Sequence, residues 1–248
     1  MKTSERKRAI LIGATSGIGL AVARILVEKG WRIGVAGRRK EQLRAFQATA
    51  PEQIEIECID VTLPEATERL QMLIEKVGGM DLYFHSTGIG SQNPQLDPEI
   101  ELATVQTNAD GFVRMTNAAY AYFRQQASQQ KGHIAVISSV AGTKGIGIAP
   151  SYSATKRFQN TYLDALAQLA RTQQLPICFT DIRPGFVATD LLKNRHYPML
   201  MEAEYVAQEI IKGLEKKKRV VTIDWRYRLL VFFWRMIPRP IWERIKLG

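Results

Sequence analysis

Tyr152 and Lys156 are four residues apart in SYSATK (151–156), with only small residues between them. On a helix, positions i and i+4 share one face, with Cβ atoms about 5–6 Å apart. A tyrosine titrates near pH ~10, and lowering its pKa by about three units requires roughly 4 kcal/mol of phenolate stabilisation. One ammonium about 4 Å away, at an effective dielectric of ~20, supplies that amount. The pair therefore predicts a tyrosine that exchanges protons with a substrate; a surface pair on a helix is the alternative.

A glycine-rich turn, GATSGIG, follows the first predicted strand. Gly13 permits a tight turn, Gly17 lets a pyrophosphate approach the backbone, and Gly19 lets the next helix pack closely on the sheet. The free N–H groups and the positive end of that helix would face the phosphates. The turn predicts a dinucleotide site, and a simple glycine-rich connector is the alternative. Its other predicted contacts are Thr15, Ser16 and Ile18.

These two motifs, GxxxGxG near the N-terminus and YxxxK after a serine, resemble the short-chain dehydrogenase/reductase family. The resemblance covers roughly residues 7–223 of the 248. It implies a doubly wound Rossmann fold, a nicotinamide cofactor, and a Ser/Tyr/Lys centre that is often joined by an asparagine.

The resemblance assigns the catalytic roles. Ser139, at the end of the fifth predicted strand, would hydrogen-bond the substrate oxygen and orient it toward Tyr152. The family spacing selects Ser139 over Ser138. Asn108 would distort its helix and anchor a water that links Lys156 to solvent. Lys156 would also hold the ribose hydroxyls of the cofactor.

Further cofactor contacts are implied in the same way. Asp60 and Val61 would contact the adenine, although an aspartate that caps a turn explains Asp60 equally well. In RPGFVAT, backbone groups near Val187 and the Thr189 hydroxyl would hold the nicotinamide carboxamide. The same segment adds the predicted contacts Pro184 and Gly185.

The fourth predicted strand departs from the family, since it ends HSTG where N-N-A-G is usual. Gly88 is retained and would allow close approach to the cofactor. Ser86 and Thr87 replace the asparagine that ties the central strands together and its neighbouring alanine. We interpret His85 as a packing residue in preference to an acid/base.

The choice of cofactor depends on VAGRR (35–39), the end of the second predicted strand. A cofactor without a 2′-phosphate is usually held here by an acidic residue. Gly37, Arg38 and Arg39 stand there, and arginine pairs a 2′-phosphate through charge-assisted hydrogen bonds. The pattern predicts NADP(H) over NAD(H), with Arg38 as the main contact and Arg39 as a second; two solvated arginines are the alternative.

Short apolar runs alternate with amphipathic stretches, which predicts a parallel sheet of about seven strands, covered on both faces by helices. The predicted strands are 8–13, 32–37, 54–60, 81–86, 133–139, 176–182 and 219–223. The predicted helices are 18–29, 39–48, 64–77, 99–107, 109–129, 152–173 and 203–216. We expect an α/β catalytic domain, 1–223, and a basic, aromatic, helical extension, 224–248.

Charge and composition narrow the function. The net charge is +10, but residues from Lys212 onward hold 11 Lys/Arg and 3 Asp/Glu, so the excess is a C-terminal feature and no nucleic-acid partner is predicted. Two cysteines, Cys58 and Cys178, and three histidines, His85, His133 and His196, show no metal-ligand spacing. We predict no metal and a reduced, cytoplasmic protein without a membrane-spanning helix.

The extension 224–248 mixes aromatic residues with Arg226, Arg228, Arg235, Arg239, Arg244 and Lys246. Two interpretations of this extension stay open. It is either a helix packed on the substrate cleft or on a sister subunit, or an interfacial helix on an anionic membrane. The second would make the protein peripherally membrane-associated. Ile146, Ile148 and Ala149 favour an apolar substrate, and 186–201 is expected to be a mobile segment that closes over it.

The leading hypothesis is an NADP(H)-dependent oxidoreductase that interconverts a ketone or aldehyde and an alcohol on a hydrophobic, lipid- or steroid-like substrate. The alternative is a dinucleotide-binding, redox-sensing protein with little turnover. The resemblance also implies a homodimer or homotetramer, formed through the long helices near 109–129 and 152–173.

Overall fold

The computed structural model of the protein describes residues 6–190, 192 and 197–245. His196, Lys246 and part of the predicted closing segment lie outside these residues. The strands are β1 Arg8–Ile12, β2 Arg32–Gly37, β3 Ile54–Cys58, β4 Leu82–His85, β5 Gly132–Ile137, β6 Ile177–Arg183, β7 Val187–Ala188, β8 Met201–Glu202 and β9 Val220–Thr222.

The helices follow the strands in alternation. They are α1 Gly17–Glu28, α2 Lys40–Gln47, α3 Ala66–Val77, α4 Pro98–Val105, α5 Phe112–Gln125, α6 Pro150–Thr172, α7 Ala203–Glu215, α8 Trp225–Met236 and α9 Arg239–Trp242. A π-helical segment, Gln106–Gly111, joins α4 to α5, and a 3₁₀ turn, Val140–Thr143, follows β5.

Within the described residues, seven of the strands form one parallel sheet in the order β3-β2-β1-β4-β5-β6-β9. Strand β1 shows why its apolar run does not alternate with polar residues. Ala9 and Leu11 pack into the core on one face of the sheet, and Ile10 and Ile12 pack into the core on the other. Both faces are covered by helices, so each side chain of the strand needs to be apolar.

The order of the sheet reverses between β1 and β4, which makes this the point where an open α/β sheet binds its ligand. The Rossmann fold is therefore confirmed, and each predicted strand of the main sheet lies within two residues of its observed bounds. The short parallel pair β7-β8, inside the predicted closing segment, was not anticipated. No helix among the described residues is long and apolar enough to cross a membrane.

Candidate active site

Tyr152 and Lys156 lie on the first two turns of α6, which begins with Pro150, beside the ends of β4 and β5. Lys156 is only 4 % exposed. Its Nζ donates to the Ile137 carbonyl (3.0 Å) and lies 5.8 Å from the centroid of the Tyr152 ring. The i and i+4 positions thus bring phenol and amine into the same space, as the spacing predicts.

The electrostatics differ from the sequence-based expectation. Burial raises the pKa of Tyr152, and hydrogen bonding with Ser139 acts in the opposite direction. Burial also lowers the pKa of Lys156 to about 8, against an opposing effect of the Asp181 carboxylate. The protein groups alone therefore do not make the phenol more acidic, because desolvation of the phenolate outweighs them. Tyr152 stays protonated near neutrality, which suits a proton donor.

Two adjacent serines end β5, and they point to different partners. Ser138 donates to the buried carboxylate of Asp181, away from the phenol. Ser139 faces Tyr152, and its Oγ accepts from the Ala141 N–H (3.1 Å) at the start of the 3₁₀ turn. Ser138 is thus hydrogen-bonded in the interior of the sheet.

Asn108 lies fully buried in the π-helical segment, where the helix is distorted as the resemblance implied. Its side chain holds the backbone of Ile89, accepting from the N–H (2.8 Å) and donating to the carbonyl (2.7 Å). A π-bulge frees main-chain groups from their usual helical partners. The freed carbonyl of Asn108 accepts from Gln159 Nε2 at 2.9 Å.

Gln159 is a component of the site that sequence reasoning missed. It is fully buried, and its Oε1 accepts from Lys156 Nζ at 3.1 Å. With its other end on the Asn108 carbonyl, this amide bridges Lys156 and Asn108. Its position three residues after Lys156, on the same face of α6, was the available signal.

Gly90 was also missed. A Cβ at this position would overlap the Tyr152 ring, so the absent side chain is what gives the phenol its place. Gly88, two residues earlier, lies against Asn108 and Lys156; a Cβ there would be 3.3 Å from Asn108 Oδ1 and from Lys156 Nζ. The GIG of the HSTGIG segment thus forms one wall of the site.

His85, at the end of β4, is fully buried. Its Nδ1 is hydrogen-bonded to the Tyr83 hydroxyl (2.9 Å), and its ring packs edge-on against Phe112. Burial, with the nearby charge of Lys156, lowers the pKa of His85 to about 3. The imidazole is therefore neutral at physiological pH, in line with a packing role.

The glycine turn between β1 and α1 has the shape of a phosphate cradle. Gly13 and Gly17 have φ of +87° and +55°, and a Cβ on Gly19 would overlap the Gly13 carbonyl. In this described segment, the Ser16 side chain does not cap α1, so the first N–H groups of the helix are free to bind an anion. These residues fit the pyrophosphate of a dinucleotide.

Arg39, predicted as the secondary contact, lies closer to this cradle than Arg38. Its guanidinium donates to Thr15 Oγ1 (2.8 Å) and Ser16 Oγ (2.5 Å), and it pairs with Asp190 at 3.3 Å. Arg38 projects into solvent, 3.9 Å from Asp60. Arg39 therefore lies at the edge of the cradle, and Arg38 lies on the side of Asp60.

At the predicted adenine side, Asp60 Oδ1 accepts from the N–H and the hydroxyl of Thr62, at 3.0 and 2.7 Å. This is the turn-capping arrangement that the sequence left as an alternative. Val61 is buried, and it occupies the space in which a Cβ on Gly111 would lie.

The segment after β6 covers the cradle from the other side. The Pro184 carbonyl accepts from the Val140 N–H at 3.1 Å, which joins this segment to the turn after Ser139. Thr189 lies against Gly17, and its Oγ1 donates to the Val187 carbonyl (3.4 Å).

Tyr227, from the C-terminal extension, supports this segment, and sequence reasoning missed it. Its ring fills the space where a side chain on Gly185 would lie, and its hydroxyl accepts from the Phe186 N–H at 3.0 Å. The hydroxyl also lies 3.2 Å from the Pro198 and Met199 carbonyls.

A cleft of about 500 Å³ opens between the segment after β4 and helix α4. Its walls are the segment 89–91, one face of α4, and Asp190. Ile89, Ile100 and Ala103 make its lining partly apolar. It adjoins Gly90, which packs against the Tyr152 ring.

The fold and the arrangement of the site are those of a dinucleotide-dependent oxidoreductase. The profile of the family described as short chain dehydrogenase matches residues 7–198. The chain belongs to the short-chain dehydrogenase family, and the prediction made from its motifs is confirmed. The cofactor class of this family is a nicotinamide dinucleotide, which the glycine cradle fits.

Relatives cover nearly the whole chain. An uncharacterized oxidoreductase of Myxococcus xanthus is 30% identical over 245 residues, 96% of this chain and 95% of that protein. An uncharacterized oxidoreductase of Staphylococcus aureus (strain MRSA252) is 29% identical over 221 residues, 86% of this chain and 93% of that one. A crystal structure of 3-ketoacyl-(acyl-carrier-protein) reductase from Brucella melitensis, complexed with NADH, has a TM-score of 0.80 at 21% identity, covering 89% of this chain and 97% of that one. This last likeness supports the fold alone.

Proposed function

We propose that the protein is an NADP(H)-dependent oxidoreductase that interconverts a ketone or aldehyde and an alcohol on a hydrophobic substrate. The observation that carries the proposal is the convergence of Ser139, Tyr152 and Lys156 between the glycine cradle and a partly apolar cleft. When bound, a nicotinamide dinucleotide supplies or takes up the hydride.

In the direction of reduction, Tyr152 donates its proton to the carbonyl oxygen, which the Ser139 hydroxyl orients by a hydrogen bond. The raised pKa of Tyr152 keeps the donating form populated at neutral pH. Lys156, held by Gln159 and the Ile137 carbonyl, places a positive charge beside the phenolate that forms. In oxidation the same groups act in reverse.

Turnover with NADPH over a panel of apolar ketones tests this function. Tyr152→Phe is expected to lose about 10²-fold or more in kcat, because the proton donor is removed. Tyr162→Phe, on the same helix with its hydroxyl on Asn117, is the matched control and should keep its rate. Dinucleotide binding by the wild type without turnover of any ketone would favour the redox-sensing alternative.

The preference for NADP(H) is proposed from Arg38 and Arg39, since Arg39 places a guanidinium at the edge of the cradle and Arg38 follows Gly37 at the end of β2, beside Asp60. Fluorescence titration should show tighter binding of NADPH than of NADH. Arg39→Ala and Arg38→Ala should each weaken NADPH binding by about ten-fold or more, since a hydrogen bond to a charged group is worth about 1.5–3 kcal/mol. Arg44→Ala, at an exposed position on α2, is the matched control and should bind NADPH as the wild type does. A wild type that prefers NADH overturns the proposal.

The proposal includes a homodimer or homotetramer in the cytoplasm, where the two cysteines stay reduced. Phe158 and Leu169 on α6 are 40% and 43% exposed, and they supply an apolar surface for pairing α5 and α6 between copies. Light scattering after size exclusion measures the mass; a monomer at micromolar concentration contradicts this part.

A further inference from the structure

Helix α8 has two apolar faces. One packs on the protein through Tyr227 and Val231, which are 1% and 7% exposed. The opposite face is exposed: at about 100° per residue, its five side chains fall within an arc of about 100°. They are Trp225 (65%), Leu229 (49%), Phe232 (59%), Phe233 (54%) and Met236 (65%).

Further exposed apolar side chains follow α8. Ile241 and Ile245, in and after α9, are 53% and 40% exposed. The five side chains of α8 share one exposed face, and an exposed apolar face of this kind commonly marks a site of interaction. We call the seven side chains together the α8–α9 face.

The extension that carries the α8–α9 face is anchored to the body of the protein by two hydrogen bonds. Trp242 Nε1 donates to the Gly145 carbonyl at 2.8 Å, and Lys144 Nζ donates to the Ile237 carbonyl at 2.8 Å. Residues 144 and 145 belong to the segment between the catalytic Ser139 and Tyr152. These two hydrogen bonds fix the extension to the loop that precedes Tyr152.

Arginines border the exposed face of α8, and those on one edge form no ion pair among the described residues. On the helical projection, Arg228 and Arg235 flank one edge of the apolar stripe and Arg226 flanks the other. The carboxylates of Asp224 and Glu243 pair with Arg226 and Arg239, which leaves the extension with a net positive charge.

We propose that the α8–α9 face docks on an anionic lipid bilayer, with α8 lying in the plane of the interface. Exposed tryptophan and phenylalanine suit the acyl boundary, and arginines at the edges reach the anionic headgroups. A second copy of the chain fits less well, since a two-fold contact on this face would bring the same arginines together. Resting on the proposed function, the substrate would be a carbonyl compound dissolved in the bilayer.

Flotation of the full chain with vesicles tests the docking. The protein should float with phosphatidylcholine vesicles that contain phosphatidylglycerol and float poorly with phosphatidylcholine alone. Phe232→Ser/Phe233→Ser should reduce binding at least ten-fold. Leu63→Ser/Met72→Ser, which changes side chains 45% and 49% exposed elsewhere on the surface, is the matched control and should bind as the wild type does.

A second variant keeps the apolar stripe and removes charge. Arg228→Gln/Arg235→Gln should bind the anionic vesicles about ten- to thirty-fold more weakly, while its thermal unfolding and NADPH binding stay unchanged. Equal flotation of wild type and Phe232→Ser/Phe233→Ser overturns the proposal. The proposal is also overturned if the wild type is a dimer that binds no vesicles and Phe232→Ser/Phe233→Ser converts this dimer to a monomer. Vesicle binding with no turnover of any ketone would instead contradict the proposed function and leave the docking intact.

Discussion

The buried ammonium of Lys156 makes the stability of the protein depend on pH in a predictable direction. Its pKa is about 8 in the folded protein, compared with about 10.4 for an unperturbed lysine. Between these values the unfolded chain binds more protons than the folded chain, so the free energy of unfolding rises with pH. The penalty for burying the charge is fully present below pH 8 and is relieved above it.

The size of the effect follows from the two pKa values. Integrating the difference in bound protons from pH 8 to pH 9 gives about 1 kcal/mol of added stability from Lys156 alone. Lys156→Met fills similar space without a titrating group, so we expect this increment to disappear. The raised pKa values of Tyr83, Tyr120 and Tyr227 are common to both proteins and cancel in the comparison.

Urea unfolding at pH 8 and pH 9 measures the increment. The wild type should gain about 1 kcal/mol more than Lys156→Met over this interval. Lys40→Met, at the exposed start of α2, should behave as the wild type does. A gain in Lys156→Met equal to that of the wild type would refute the assignment of a buried, titrating lysine at this position.

Two further substitutions test the residues that hold the catalytic pair. Gln159→Met removes an acceptor from the ammonium of Lys156, so the limb of the kcat/KM pH profile that reports this lysine should move about one to two pH units lower; an unmoved limb contradicts the bridging role. Gly90→Ala should lower kcat at least ten-fold with little change in NADPH affinity, because the methyl group overlaps the Tyr152 ring. Gly145→Ala, whose methyl group meets open space, is the control, and an equal loss there would contradict the steric argument.

The fold could be predicted from the sequence because its signals are local. Strand β1 is a run of apolar residues that ends in a glycine turn, and α1 begins within that turn. The helical distortion at Asn108 was predicted from the family resemblance alone, since the residue types around Asn108 do not indicate a change from α-helix to π-helix.

The residues that were missed depend on contacts between distant segments. Gln159 meets Asn108 across 51 positions of sequence, and Gly90 meets a ring 62 positions away. Periodicity predicts which face of a helix is buried, but it does not predict which partner lies opposite.

The error about the Tyr152 pKa has a similar origin. Spacing alone predicts the proximity of a charge. The cost of desolvating the phenolate depends on all the groups that surround Tyr152. Here this cost is larger than the stabilisation of the phenolate by neighbouring groups, so the pKa is raised.

The contact of Tyr227 with Gly185 makes the C-terminal extension part of the packing of the Rossmann domain. Shortening the chain after Ile223 would open a ring-sized void under the loop that follows β6 and strand the Phe186 N–H. We expect such a truncated protein to bind the dinucleotide more weakly and to lack the exposed apolar face of α8. Substitutions in the extension and in the segment after β6 are therefore coupled. A bulkier residue at position 185 would be tolerated only together with a smaller residue at position 227.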